Sequence, residues 1–202
     1  MKNKKDISKY RLKHKYFVVL GLISERMPIG CHAYDINKRI DERGMRSWTN
    51  IGTPSRSSLY NILENLERDR LLESHTEEVD NRIRKIFIIT DFGYKVLKKR
   101  TFDVIFNFNV MYDEDFDMAF SMYPILPYKE QIKVFKSALN IVIEHKKSLE
   151  QTYNEDIHWM VNVKGLFIRP IKIYEAHIDF FNWVLEEIKK GEEQVGSKTY
   201  GK

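Results

Sequence analysis

Between Pro54 and Leu66 the chain carries Arg56, Ser57, Ser58, Tyr60 and Asn61 interleaved with Leu59, Ile62, Leu63 and Leu66. The apolar four recur at i, i+3, i+4 and i+7, the stripe of a half-buried helix, so Arg56, Ser57, Tyr60, Asn61 and Glu64 fall on the opposite face. An arginine with short hydroxyl and amide side chains at the start of a helix makes hydrogen bonds of the kind that engage phosphate oxygens and base edges. A second set, Asn81, Arg82, Arg84 and Lys85, follows the acidic run Glu77-Glu78-Val79-Asp80. Cations in that density suit a polyanion.

Other chemistries find no support in the spacing. There is no G-x-S-x-G, phosphate-binding loop or G-x-G-x-x-G, and no catalytic residue is assigned. The histidines (His14, His32, His75, His145, His158, His177) are scattered without H-x-x-x-H spacing. Asp113, Asp115 and Asp117 have the alternation that opens a calcium loop, but Met118 stands at the sixth position and Pro124 at the twelfth. An exposed acidic helix start is the expectation there. Cys31 is the lone cysteine and reads as a buried structural residue, excluding an internal disulfide. No metal or cofactor is expected, and the chain does not read as an enzyme.

Charge is unevenly placed. The 202 residues include 34 Lys/Arg and 29 Asp/Glu, a net +5. The first hundred residues carry +9 and the remainder −4, a basic half joined to an acidic one. Hydrophobic residues at 43% suffice for a core. The lysine-rich start and the apolar run Tyr16–Ile23 resemble a signal peptide, but Ser24-Glu25-Arg26 follows without a small-residue cleavage site. No stretch approaches the ~20 apolar residues of a membrane span. A cytoplasmic protein is expected.

The elements that must position these residues can be read in order. Tyr16–Ser24 is an apolar helix broken by Met27-Pro28-Ile29-Gly30; His32–Arg43 is a second, stopped by Gly44, in which Tyr34 is expected to pack inward. Thr53 is placed as N-cap of the third, with Pro54 at its first position. Leu72–Thr76 and Arg84–Ile89 read as strands of a hairpin around a charged loop, and Thr90 caps a helix over Asp91–Arg100. Lys98, Lys99 and Arg100 are expected as a solvated helix end. Thr101–Tyr112 reads as helix by continuity, Phe116–Tyr123 as a short helix. Two heptad-like stripes follow: one includes Phe135, Leu139 and Val142, the other Tyr174, Ile178, Phe181 and Leu185. These seven are taken as a dimerisation seam. The tail from Gly191 is expected to fray.

Helix, helix, polar-faced helix and charged hairpin is the order of a winged helix-turn-helix. Residues 16–98 resemble the N-terminal domain of the PadR family of bacterial transcriptional regulators. The resemblance is carried by Val19-Leu20-Gly21-Leu22-Ile23-Ser24, His32-Ala33-Tyr34-Asp35-Ile36 with Lys38-Arg39-Ile40, Ser58-Leu59-Tyr60 with Leu63 and Leu66-Glu67, and Arg82-Ile83-Arg84-Lys85 with Thr90-Asp91-Phe92-Gly93. Three departures stand out: Ala33 for the family's usual glycine, Asn61 for a common proline, and Arg70-Leu71-Leu72 for Gly-Leu-Ile, which predicts an altered turn after the third helix.

The reading is a mainly α chain with a small β-hairpin wing. Residues 1–100 form the winged helix-turn-helix DNA-binding domain, 101–190 an α-helical, coiled-coil-like dimerisation domain, and 191–202 a flexible tail. The resemblance implies a homodimeric repressor. Its expected DNA contacts are Arg56, Ser57, Ser58, Tyr60, Asn61, Asn81, Arg82, Arg84 and Lys85, on double-stranded DNA bearing an inverted repeat. A small aromatic or lipophilic effector is a further expected partner; a membrane is not. The alternatives are a protein–protein adaptor using the same fold without specific DNA binding, and a ligand-binding protein with vestigial DNA contact.

Overall fold

A helix that is apolar on every side has to be enclosed, and α1 (His14–Ser24) is enclosed along its whole middle, with Phe17 to Ile23 all buried. In this computed structural model, residues 7, 10–45, 53–79, 82–110, 115–154 and 160–195 are described. They fall into two units, residues 1–104 with 114–125 and residues 105–113 with 126–202.

The first unit wraps α1. β1 (Cys31–His32) leads into α2 (Ala33–Glu42), where the His32 ring Nδ1 accepts from the Tyr34 N–H at 3.1 Å as N-cap. Ile36 and Ile40 turn inward, while Tyr34 is 67% exposed. The expectation that Tyr34 packs inward is therefore corrected: on the first turn its ring lies outside the Ile36–Ile40 stripe. Glu25, just after α1, accepts from Arg39 at 3.0 Å and from Arg43 at 2.7 Å, tying α1 to α2.

α3 (Arg56–Arg68) buries Leu59, Ile62, Leu63 and Leu66, the stripe read from the sequence. Its start is shifted. Ser55, not Thr53, is the N-cap, its Oγ accepting from the Ser58 N–H at 3.2 Å, and Pro54 precedes the helix.

The end of α3 keeps its geometry despite Arg70. The Leu71 N–H reaches the Leu66 carbonyl and the Arg70 N–H the Glu67 carbonyl, both at 2.8 Å. That is the paired closure of a left-handed helix stop. Arg70 holds φ +63 to make it, a conformation glycine adopts without strain. The expected altered turn is thus absent; the arginine bears the glycine's conformation instead.

β2 (Leu72–Val79) and β3 (Arg82–Ile89) pair antiparallel from Leu72↔Ile89 to Val79↔Arg82, and β1 adds on the other side of β3 in the order β1-β3-β2. The strands run through Glu77 and Ile83, which the sequence placed in a loop. Acidic and basic residues stand opposite each other in the register (Glu77 opposite Arg84, with no ion pair between them), so alternation rather than charge density decides.

α4 (Asp91–Phe106) starts at Thr90, whose Oγ1 accepts from the Gly93 N–H at 3.0 Å. It runs unbroken past residue 100 and stops at Phe106, short of the expected Tyr112. Lys98-Lys99-Arg100 is consequently mid-helix. Arg100 pairs with Asp115, which precedes α5 (Phe116–Met122), and His14 bonds the other carboxylate oxygen. Asp115 is only 4% exposed, so the expected exposed acidic helix start is corrected; one of its three aspartates is a buried clasp between α1, α4 and α5. A short 3₁₀ turn, Tyr123–Ile125, ends this unit.

The second unit is a helical hairpin of α6 (Tyr128–Asn154) and α7 (Val161–Val195), the latter continuing past Gly191. Ring pairs Tyr153–Phe167, His145–Tyr174 and Phe135–Phe181, at 6.1, 6.0 and 6.3 Å, run in opposite order and make the helices antiparallel. Phe135, Val142 and Phe181 are fully buried within this one chain, Tyr174 and Leu185 nearly so, while Leu139 and Ile178 are half-buried. The stripes read as a dimer seam therefore close the chain's own hairpin. A seam satisfied within one chain avoids the rotational and translational cost of recruiting a second copy.

Two outcomes are expected. Arg70→Gly relieves the left-handed backbone and raises unfolding free energy by about 1 kcal/mol in urea titration. For Asp115, burial alone would raise the pKa, but the hydrogen bond from His14 and the charge and hydrogen bond of Arg100 outweigh it and hold the carboxyl below its ordinary value. Stability from this clasp is present at neutral pH and lost as pH falls through the carboxylate range. Asp115→Asn should lower the melting temperature at about pH 7 and flatten its decline below about pH 5.

Candidate nucleic-acid interface

A cation already paired with a carboxylate gives up part of that interaction when it contacts a polyanion, so the unpaired cations are the first candidates. Arg39 and Arg43 are held by Glu25, and Arg100 by Asp115. Lys85 donates to Glu67 at 2.7 Å and lies 5.1 Å from the Phe87 ring. The bond from Lys85, seconded by the Ser74 hydroxyl, pulls the Glu67 carboxyl below its usual range. Arg56 and Arg84 have no such partner among the described residues.

The N-terminal turns of α3 put Arg56, Ser57, Tyr60 and Asn61 on the exposed face, with Tyr60 56% exposed. Ser57 Oγ lies 3.2 Å from Ser55 Oγ, within the cap. The Asn61 backbone carbonyl accepts from the Asn65 side chain at 2.6 Å, and Asn61 is exposed. Ser58 is different. Half-buried, it donates to the Ser55 carbonyl at 3.0 Å and accepts from Ser55 Oγ at 3.0 Å, so its hydroxyl closes the helix start.

Of the wing residues, Arg84 is half-buried and Lys85 exposed at the Glu67 clip. Only the backbone of Arg82 is described, and Asn81 lies outside the described residues, as do residues 46–52 and the early lysines up to Lys9. Tyr34 and Ile83 were not singled out as site residues, yet they are 67% and 80% exposed beside Arg84. The alternation of β3 does signal Ile83: it follows Phe87 and Lys85 outward on one strand face.

Elsewhere the groups that could do chemistry are quiet. Cys31 is 3% exposed, and burial pushes its thiol up to about 11. Among the described residues no group of His, Cys, Asp or Glu clusters to hold a metal, and no helix is long and apolar enough to cross a membrane.

Three helices around an enclosed α1, a polar-faced third helix and a two-stranded wing define a winged helix-turn-helix. Residues 19–99 match the family described as transcriptional regulator PadR-like. Among solved structures, that of smu.1704 from Streptococcus mutans UA159 shares 28% identity over 47% of this chain and 81% of its own, with TM-score 0.36. Bacillus subtilis PadR in complex with operator DNA shares 17% over 86% and 98%, at 0.39. The PadR-like transcriptional regulator BC1756 from Bacillus cereus shares 21% over 89% and 99%, at 0.35. No curated protein matches the chain.

The sorting of cations yields a measurable contrast. On the DNA-binding reading, Arg56→Ala should reduce the slope of log K against log salt by ~0.9, whereas Lys85→Ala, whose charge is paired with Glu67, should reduce it by much less, through loss of the clip alone.

Proposed function

We propose that the chain is a dimeric, sequence-specific DNA-binding regulator that represses transcription and is released by a small aromatic or lipophilic effector. The observation that carries this reading is the uncovered first half of α3, where an unpaired arginine and three small or planar polar side chains share one exposed face. A helix of that profile fits the major groove, which displays a distinct donor and acceptor pattern at each base pair.

The contact set proposed is Arg56, Ser57, Tyr60 and Asn61 to bases and backbone, with Arg84 at the wing. Ser58 shapes the helix start. Lys85 sets the wing rather than neutralising phosphate, and Asn81 and Arg82 are retained as wing-tip contacts. A second copy would use apolar side chains left on the helical hairpin, such as Ile143 and Trp183, 40% and 54% exposed. Two recognition helices related by a twofold axis read an inverted repeat with half-sites about one helical turn apart. For the effector, a cavity of about 440 Å³ in the first unit is lined by Met27, Tyr94, Met122, Pro124 and Ile125 with Ser24, Glu25 and Ser121. Its two methionines adapt to varied apolar shapes.

A gel-shift with the DNA upstream of the chain's own coding sequence tests the reading. Retained binding at ~100 mM salt, with a complex of two protomers by light scattering, is expected. Absence of any duplex binding there would favour the adaptor. Arg56→Ala is expected to lower discrimination between that DNA and an unrelated duplex by ~1–3 kcal/mol; equal weakening of both would make Arg56 a phosphate anchor.

A further inference from the structure

Ahead of α1, residues 10–13 pass the last turn of α3 and leave a notch of about 230 Å³. Its lining is cationic. Arg11 and Lys13 come from the segment before α1 and Arg68 from α3, all three exposed, and the half-buried Tyr16 joins them. The one carboxylate of the lining, Asp69, accepts from the Tyr10 hydroxyl at 2.8 Å. Asn65 commits its amide to the Asn61 carbonyl. The remaining donors are uncommitted: apart from the 5.9 Å approach of the Lys13 ammonium to the Tyr16 ring, neither guanidinium, nor that ammonium, nor the Tyr16 hydroxyl bonds a described residue. A second concavity, of about 350 Å³, shares Tyr10 and Arg11 and includes the buried Leu12 and Val96. Its other cations, Lys99 and Arg100, are already paired with Asp103 and Asp115.

We propose that the smaller notch binds the phosphate of a small phosphorylated molecule, held by Arg11, Lys13, Arg68 and the Tyr16 hydroxyl. Three cations against one carboxylate leave an excess that a phosphate dianion neutralises and a singly charged ligand does not. Two guanidinium forks suit phosphate oxygens taken in pairs. The helix ends do not decide the matter. The negative end of α3 and the positive end of α1 both border the notch and oppose each other, so the side chains carry the selectivity. Size favours a small molecule: the notch is narrower than the roughly 300–1,000 Å³ of sites that enclose a drug-sized ligand. The phosphate sits in it, and any organic part extends over Arg11 into the second concavity. A duplex read by Arg56 would be engaged roughly 18 Å away, at the other end of α3. The site does not depend on the DNA-binding reading, and its ligand differs in chemistry from the apolar effector. Its place gives it regulatory reach, since Arg68 is the last residue of α3 and Asp69 its C-cap.

The experiment is isothermal titration calorimetry of the full chain with inorganic pyrophosphate, ADP and adenosine, with melting temperatures taken for every variant. Pyrophosphate and ADP should bind and raise the melting temperature with concentration, and adenosine should do neither. Tighter binding of ADP than of pyrophosphate identifies a phosphate ester reaching the second concavity, and equal binding a free inorganic anion; both support the site. Arg11→Gln and Arg68→Gln should each weaken binding about tenfold or more, and Tyr16→Phe about threefold. Lys147→Gln, which removes an exposed cation outside the notch, should change nothing. If it weakens binding as much as Arg68→Gln does, the anions bind diffusely and the inference falls. It falls equally if neither phosphate compound binds; weakened duplex binding by Arg11→Gln and Arg68→Gln would then give the notch to DNA. Failure of the wild type to bind any duplex would overturn the regulator reading and leave this site standing.

Discussion

The Leu71 carbonyl is the junction on which the placing of α3 against the hairpin depends. It accepts the Thr90 N–H at 3.0 Å and lies 3.2 Å from the Thr90 hydroxyl, while the Leu71 N–H closes α3 onto Leu66 at 2.8 Å. A Cβ on Gly93 would overlap this carbonyl, so the first turn of α4 can lie against it only because that residue is glycine. One peptide thus orients the recognition helix, the strand that leaves it and the helix that follows the wing. Buried backbone groups must be paired, and here pairing doubles as alignment. The φ of +63 at Arg70 is tolerated because so many bonds determine the turn around it.

Much of this was legible in the sequence because it is local. The Leu59–Leu66 stripe, the Thr90 cap and the period-two run into Ile89 are written in spacings of two to four residues, and the folded chain keeps them. What could not be read was set by partners distant along the chain. Asp115 is drawn inward by His14, 101 positions away, a pairing that no helix-start rule anticipates. Thr53 and Ser55 are both competent caps by residue type, and Pro54, placed to open a helix after Thr53, points to the wrong one. Heptad stripes announce that helices will pack but not with which mate, so the Phe135 and Phe181 stripes found each other within the chain. The exposure of Tyr34 follows from one turn of helix geometry that a count of apolar residues overlooks.

Net charge proved a poor guide to where a polyanion can be held. The excess of +9 in the first hundred residues says nothing of which cations are held, and Glu25, Glu67 and Asp115 engage Arg39, Arg43, Lys85 and Arg100 in ion pairs within the fold. Arg56 and Arg84 remain on the recognition helix and the wing. On the proposed DNA-binding reading, recognition draws on few well-placed donors rather than on a diffuse field, and the exposed rings of Tyr34 and Tyr60 lie on the same domain.

The clip between Lys85 and Glu67 joins wing to recognition helix through side chains that are 46% and 32% exposed. At such exposure dissolved ions screen the clip as they screen phosphates. On the DNA-binding reading, raising ionic strength would therefore act twice, competing for the duplex and loosening the tie between the hairpin and α3. A counterion number taken from a salt titration would then contain a conformational share and overstate the phosphates touched.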